Sequence, residues 1–274
     1  MSSSLILYDH PLSPYTQKVR MMLREKELDF EIRVPDGLGS GQDFGYSRHN
    51  PRLEIPSLVV AQGETLFDSS IIMEYLEEAH PARPMLPPGP IARARCREVE
   101  EICDTLYEAI NWGLGEIRFF ARGADRKRKL HEVARREIGY LQDWLVARLS
   151  PAGWLSGNAF GWADIAAVPH VTMSQIFGFA PAPNSPLNGW LDRVTQRPAV
   201  AVTLGEAAAA VAGMAQYAEL LGAGNFNRQF RDHRLEWMVR AGGIEIVTEG
   251  LARGNIRFTD LGLFRNHRPG AATG

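Results

Sequence analysis

Residues 52–60 read RLEIPSLVV. Pro56 stands directly before an apolar run that reads as a strand, and a residue preceding proline is held extended. Alone, the Ile55-Pro56 pair fits an ordinary strand start, so its neighbours decide its meaning. Downstream, SLVVA and ETLF are two short strands joined at QG, a hairpin signal. DSSIIMEYLEEAH (68–80) then reads as a helix with Ile71, Ile72, Tyr75, Leu76 and Ala79 facing inward. Upstream, SLILY (4–8) reads as a buried strand and DHPL as a turn. Ser13 suits an N-cap, and Pro14 the first helical position, where a missing N–H costs nothing. Tyr15, Val19, Met22 and Leu23 follow at helical spacing, and the helix ends near EKELD. DFEIRV (29–34) is a second strand, and the Gly-rich loop PDGLGSGQDFG leads back towards Pro56.

The order is β-α-β, a long connection, then β-β-α. The first pair of strands needs a crossover and lies parallel; the last pair is antiparallel. A four-stranded mixed sheet flanked by helices is the thioredoxin-like architecture, in which the proline at this place is usually cis. A cis bond turns the backbone of Ile55 towards the open sheet edge, where its N–H and C=O can pair with an extended peptide. This unit fills residues 1–80. PARPMLPPGP (81–90) carries five prolines and is a linker. Val99, Ile102, Leu106, Ile110, Leu114 and Ile117 then recur at helical spacing across residues 91–121. Residues 125–149 repeat the pattern, and further helices are expected at 162–178, 186–196 and 199–221. Residues 91–224 thus form an all-α domain. Residues 225–274 are expected to add a helix broken or bent at Gly242-Gly243, with a non-helical tail, packed on the helical domain. They hold eight arginines against five acids, which reads as a solvated helix face, with a basic patch as the alternative.

The chain has 274 residues, 45% hydrophobic and 23% charged, with a net charge of −2. That balance draws neither nucleic acid nor an anionic membrane. No signal peptide is evident at the start, and the longest charge-free run, 165–191, is interrupted by prolines. Cys96 and Cys103 share a helix face and read as buried thiols of a reduced, cytoplasmic protein. No His/Cys cluster has metal spacing, and His170 reads as a core residue.

Three short stretches carry chemistry. Ser13 at a helix start offers a hydroxyl beside a positive helix end, the combination that stabilises a thiolate; a plain N-cap fits it equally. Asp68 and Ser69 open the second helix. Asp68 can accept from an ammonium while Ser69 donates to a carboxylate, as an α-amino acid headgroup requires; helix capping is the alternative. Ile55-Pro56 supplies the backbone clamp. All three lie at one end of the expected sheet.

With SPYTQKVR, NPRLEIPSLV, FDSSIIMEYLEE and GNAFGWADIA in this order and spacing, the chain resembles the cytosolic glutathione transferase superfamily over residues 4–222. The resemblance implies a homodimer that binds glutathione as co-substrate, without a metal, and conjugates it to a small hydrophobic electrophile. It places the γ-glutamyl group on Asp68 and Ser69, the cysteinyl backbone on Ile55 before Pro56, and the thiol near Ser13. No cysteine lies in the N-terminal domain, so thiol exchange through this site is excluded, and SPYT looks more like tau-class enzymes, which use serine. Tyr8 and Tyr15 are the alternative donors. Tyr15, Tyr107, Trp112 and Arg118 are expected to shape the second substrate's pocket. Two residues depart from the family pattern. Glu54 stands where Gln or Lys is common, and it would repel the glycyl carboxylate unless it points away. Gly161 stands where Ser or Thr caps the core helix, with Asp164 in a structural role. The alternatives are a specialised glutathione-dependent lyase, isomerase or dehalogenase, and a non-catalytic binding module.

Overall fold

A computed structural model describes residues 5–60, 63–214 and 226–267. Strands β1 (Leu5–Tyr8), β2 (Phe30–Arg33), β3 (Ser57–Val59) and β4 (Thr65–Phe67) form one sheet in the order β2-β1-β3-β4. β1 runs parallel to β2 and antiparallel to β3, and β3 runs antiparallel to β4. This is the expected thioredoxin-like sheet. The register sets Leu7 opposite Leu58, and both are fully buried, as alternation on a half-covered sheet requires. Gln62 of the expected hairpin turn lies outside the described residues.

Helix α1 (Pro14–Glu25) joins β1 to β2, and α2 (Ser69–Ala79) follows β4. Within α2, Ile72, Met73 and Leu76 are buried, whereas Ile71 and Ala79, expected inside, are exposed, Ile71 at 56%. The buried face includes Glu77, whose carboxylate takes Lys26 at 2.8 Å and the N–H groups of Met85 and Leu86 at 3.0 Å. A polar residue with these partners sits inside where an apolar stripe alone would not place it.

The helical part comprises α3 (Pro90–Ile102), α4 (Glu108–Arg118), α5 (Lys127–Val146), α6 (Trp162–Ile176), α7 (Pro186–Val194) and α8 (Pro198–Met214). Residues 215–221, expected to continue α8, lie outside the described residues. A π-helical turn, Cys103–Tyr107, joins α3 to α4. It adds a residue to the turn and shifts the phase of the apolar stripe. Leu106 is consequently 43% exposed, while Cys103 and Tyr107 are fully buried. Both thiols are free and buried; burial raises the pKa of each.

α1 packs against α2, α6 and α8, so almost its whole circumference is enclosed. Its polar residues are paired accordingly. Arg20 bonds Asp9 and Glu206, and Arg24 reaches Glu206 at 2.6 Å. These pairs tie the sheet unit to α8. Gly161 opens α6 with no hydroxyl of its own, and a Cβ there would lie 2.3 Å from the Met85 carbonyl oxygen. Ser156 supplies the cap instead: its Oγ accepts from Ala163 N at 2.9 Å. Asp164 accepts from Leu155 N, Ser156 N, Gly161 N and Trp190 Nε1, which makes it a structural hub of the helical part.

Beyond residue 225, a two-stranded parallel ribbon pairs β5 (Arg228–Gln229) with β6 (Ile256–Arg257). Between them lie α9 (Asp232–Ala241) and α10 (Ile244–Ala252), separated at Gly242, whose φ of 80° ends α9. α9 packs on α4 across Gly113, where a Cβ would lie 2.1 Å from the Trp237 ring. The solvated face expected for the arginines forms only in part: Arg240 and Arg253 are exposed, but others turn inward. Arg228 and Arg234 are buried, at 9% and 5% exposure, and pair with Glu116 and Glu108. Among the described residues no helix is long and apolar enough to cross a membrane.

Candidate functional site

A cavity of about 1000 Å³ opens between the sheet unit, α4, α6 and the C-terminal segment. Ser13, Tyr15, Glu54, Ile55, Pro56, Asp68, Ser69 and Trp112 all line it.

Ser13 is positioned by the turn before α1. Thr16 Oγ1 donates to His10 O at 2.8 Å and Gln17 Nε2 donates to Pro11 O at 2.7 Å, which anchors the turn on the first helical residues. Ser13 Oγ accepts from Thr16 N at 3.4 Å, a long bond, and the described residues offer its own hydrogen no acceptor. A hydroxyl donor at a helix N-terminus therefore faces the cavity.

The two tyrosines are otherwise engaged. Tyr15 donates its hydroxyl to Asp104 O in the π-helical turn at 2.8 Å, and burial pushes its pKa well up. Tyr8 is outside the cavity lining and stacks near Tyr46 and His49, with ring centroids 5.3 Å and 4.4 Å away.

The Ile55-Pro56 peptide is cis. The preceding carbonyl, Glu54 O, accepts from Asn50 Nδ2 at 2.7 Å and from the Tyr46 hydroxyl at 3.0 Å, so the clamp segment is held from behind. The Glu54 carboxylate faces Arg231 Nη1 at 4.0 Å. Asp68 adopts φ 77°, caps α2 by accepting from Ser70 N at 3.1 Å, and has Arg52 Nη1 3.7 Å from its other oxygen. Ser69 is 5% exposed beside it.

Behind Ser70 lies a buried ionic cluster. Lys18, fully buried, donates to Glu100 at 2.5 Å and also bonds Asp104. Glu100 accepts from the Ser70 hydroxyl at 2.7 Å and from Trp162 Nε1 at 2.6 Å. Burial by itself would raise the Asp104 carboxyl, but Lys18 and His170 outweigh it and hold its pKa below the ordinary value. His170 is 1% exposed and faces Asp104 Oδ1 at 3.3 Å, while its Nδ1 has no partner among the described residues. His170 is thus a core residue, as expected, and also part of the cavity wall.

The far wall is aromatic and cationic. Trp112 lies between two guanidinium groups, Arg228 at 3.4 Å and Arg234 at 3.6 Å from its ring centroid. Arg234 forks onto Glu108 at 2.7 and 3.0 Å. Burial opposes ionisation of Glu108, but Arg234 and His233 prevail and its pKa falls to about 2. Phe119, Phe177 and Met173 add apolar surface.

Two expected pocket residues lie elsewhere. Tyr107 is fully buried, bonded to Ser174 at 3.0 Å, with its pKa pushed up to about 12 by burial. Arg118 is exposed and donates to Ile176 O at 2.6 Å, closing the ends of α4 and α6. The π-helical turn sets the phase of α4, which turns Trp112 rather than these two towards the cavity. The residues that sequence reasoning missed are Asp104 and the arginines of the C-terminal segment. The arginine excess after residue 225 was the available signal for the latter.

Two family models match, the glutathione S-transferase N-terminal domain over residues 12–79 and the C-terminal domain over 110–198. The chain is 31% identical over 195 residues to the maleylacetoacetate isomerase of Pseudomonas aeruginosa, a match covering 64% of this chain and 83% of that protein. The chain belongs to the glutathione S-transferase superfamily. It is also 34% identical over 139 residues to the GST-like protein YibF of Escherichia coli K12, covering 49% of this chain and 66% of that one, just under two thirds. A glutathione S-transferase of Methylobacterium radiotolerans, solved in complex with glutathione sulfonate, superposes with a TM-score of 0.63 at 29% identity, covering 73% of this chain and 94% of that one. The C-terminal transferase model ends at residue 198, so the segment carrying β5, α9, α10 and β6 lies past it.

Proposed function

We propose that the protein is a glutathione transferase: it holds glutathione as the thiolate and adds it to an electrophilic carbon, or displaces a leaving group with it. One observation carries this reading: a free hydroxyl at a helix N-terminus, the backbone before a cis-proline and an Asp-Ser pair opening a second helix share one cavity. In this reading they serve as a thiolate donor, a peptide clamp and a headgroup site for glutathione. A charge-assisted hydrogen bond from Ser13 contributes about 1.5–3 kcal/mol to the anion, and the end of α1 adds about 0.3–1 kcal/mol. Together that is about 2–4 kcal/mol, or about 1.3–3 pKa units, enough to bring a thiol of pKa about 8.5 to thiolate near neutral pH. The apolar wall of Phe119, Phe177 and Met173 is where a hydrophobic electrophile would rest. The reading expects two copies to associate as a homodimer.

The test is glutathione conjugation to a panel of aryl halides and activated alkenes. Ser13→Ala is expected to lower kcat/KM by about tenfold or more. Turnover at wild-type level in that variant would remove Ser13 from the mechanism. The similarity to an isomerase over most of that relative's length favours a second reading. In it the thiolate adds to a conjugated cis double bond, the resulting single bond rotates, and elimination returns glutathione. Isomerisation without glutathione consumption, followed by NMR, separates the two.

A further inference from the structure

Resting on that glutathione reading, we propose that the C-terminal segment completes the tripeptide site, with Arg257, flanked by Arg231, receiving the glycyl carboxylate. With the γ-glutamyl end on Asp68 and the cysteinyl unit paired to Ile55, an extended tripeptide continues past Ile55 on the side of Glu54 and the 35–45 loop. The sheet unit itself presents an acid there. Arg231 lies 4.0 Å from that carboxylate and offsets it. Arg257 spans the gap beside it. Its Nη1 and Nη2 donate to the carbonyls of Arg52 and Leu53 at 3.1 and 3.0 Å, and its Cδ lies 3.2 Å from where a Cβ on Gly41 would stand. The guanidinium is therefore between the loop and the segment that carries Ile55, where the glycyl end arrives.

Charge pairing singles out the same residue. Among the described residues five arginines line the cavity, and four face a carboxylate: Arg52 on Asp68, Arg228 on Glu116, Arg231 on Glu54 and Arg234 on Glu108. Among the described residues Arg257 hydrogen-bonds only to neutral carbonyls, and its Nε–H is buried without an acceptor. Glu54, already facing Arg231, acts on Arg257 only through space, and burial outweighs it and lowers the Arg257 pKa. A largely buried cation with no directly bonded carboxylate is costly, and a ligand carboxylate supplies one. Arg228 and Arg234, by contrast, stack on Trp112.

The experiment is calorimetric titration of the full chain with glutathione and with glutathione amide, which carries a glycyl carboxamide. Wild type is expected to bind glutathione about tenfold or more tighter than the amide. In Arg257→Gln the two affinities should converge at the wild-type amide value. Arg257→Lys, which keeps the charge and loses the fork, should retain part of the preference. Equal affinities in wild type, an undiminished preference in Arg257→Gln, or a parallel loss for both ligands would each overturn the inference while leaving glutathione binding intact. Failure of glutathione itself to saturate wild type would overturn the glutathione reading, and this inference with it.

Discussion

Ser13 closes one turn and opens one helix, and both positions leave its hydroxyl in the cavity. Ile55, Pro56, Asp68 and Ser69 were legible for a similar reason: caps and pre-proline residues are dictated by local backbone needs, which a sequence displays directly. Tyr107 and Arg118 were not, because the side of a helix that meets a cavity depends on helical phase, and a π-helical turn resets it. Tyr15 tests the division of labour among neighbouring hydroxyls. Its bond to Asp104 O joins α1 to the π-helical turn. Tyr15→Phe should lower stability by about 1 kcal/mol, read from denaturant midpoints, and leave the pKa of bound thiol unchanged. A raised thiol pKa in that variant would give Tyr15 a chemical role.

At the level of elements, the sheet unit was readable because turn signals, strand alternation and capping residues agree with one another along residues 4–80. The start of α6 was readable only in part. Gly161 looked like a cap lost at small cost, whereas Met85 O excludes any side chain there and Ser156 caps the helix from outside it. No local pattern reveals a cap lent by another segment. Ser156→Ala should therefore cost about 1–2 kcal/mol, as the loss of a true N-cap does. Restoring a hydroxyl at the apparent vacancy, Gly161→Ser, should destabilise rather than rescue. A Gly161→Ser protein melting at or above the wild-type temperature would contradict this account of α6.

Across the whole molecule, long-range charge pairing decides what the sequence could not show. Arg228 and Arg234 read as part of a solvated face, yet each is buried against an acid far along the chain, as Lys18 is against Glu100. Glu108 gives this a pH signature. Its folded pKa of about 2 lies below the ordinary 4.5, so its contribution to stability is complete above about pH 4.5. That contribution is lost as pH falls towards 2. Glu108→Gln, which leaves Arg234 without its counter-charge, should cost about 3–5 kcal/mol at pH 7. The gap from wild type should narrow steadily between pH 5 and pH 2 in chemical denaturation. A gap independent of pH would assign Glu108 a packing role only.

The whole assembly, from the cap of α1 to the arginines after residue 225, converges on one claim, that this cavity holds glutathione with its thiol ionised. The most direct measurement is the ultraviolet thiolate absorbance of bound glutathione against pH, in wild type and in Ser13→Ala. The account predicts a bound thiol pKa about 1.3–3 units below the free value in wild type, returning towards about 8.5 in the variant. Saturable binding with the same thiol pKa in both proteins would contradict it.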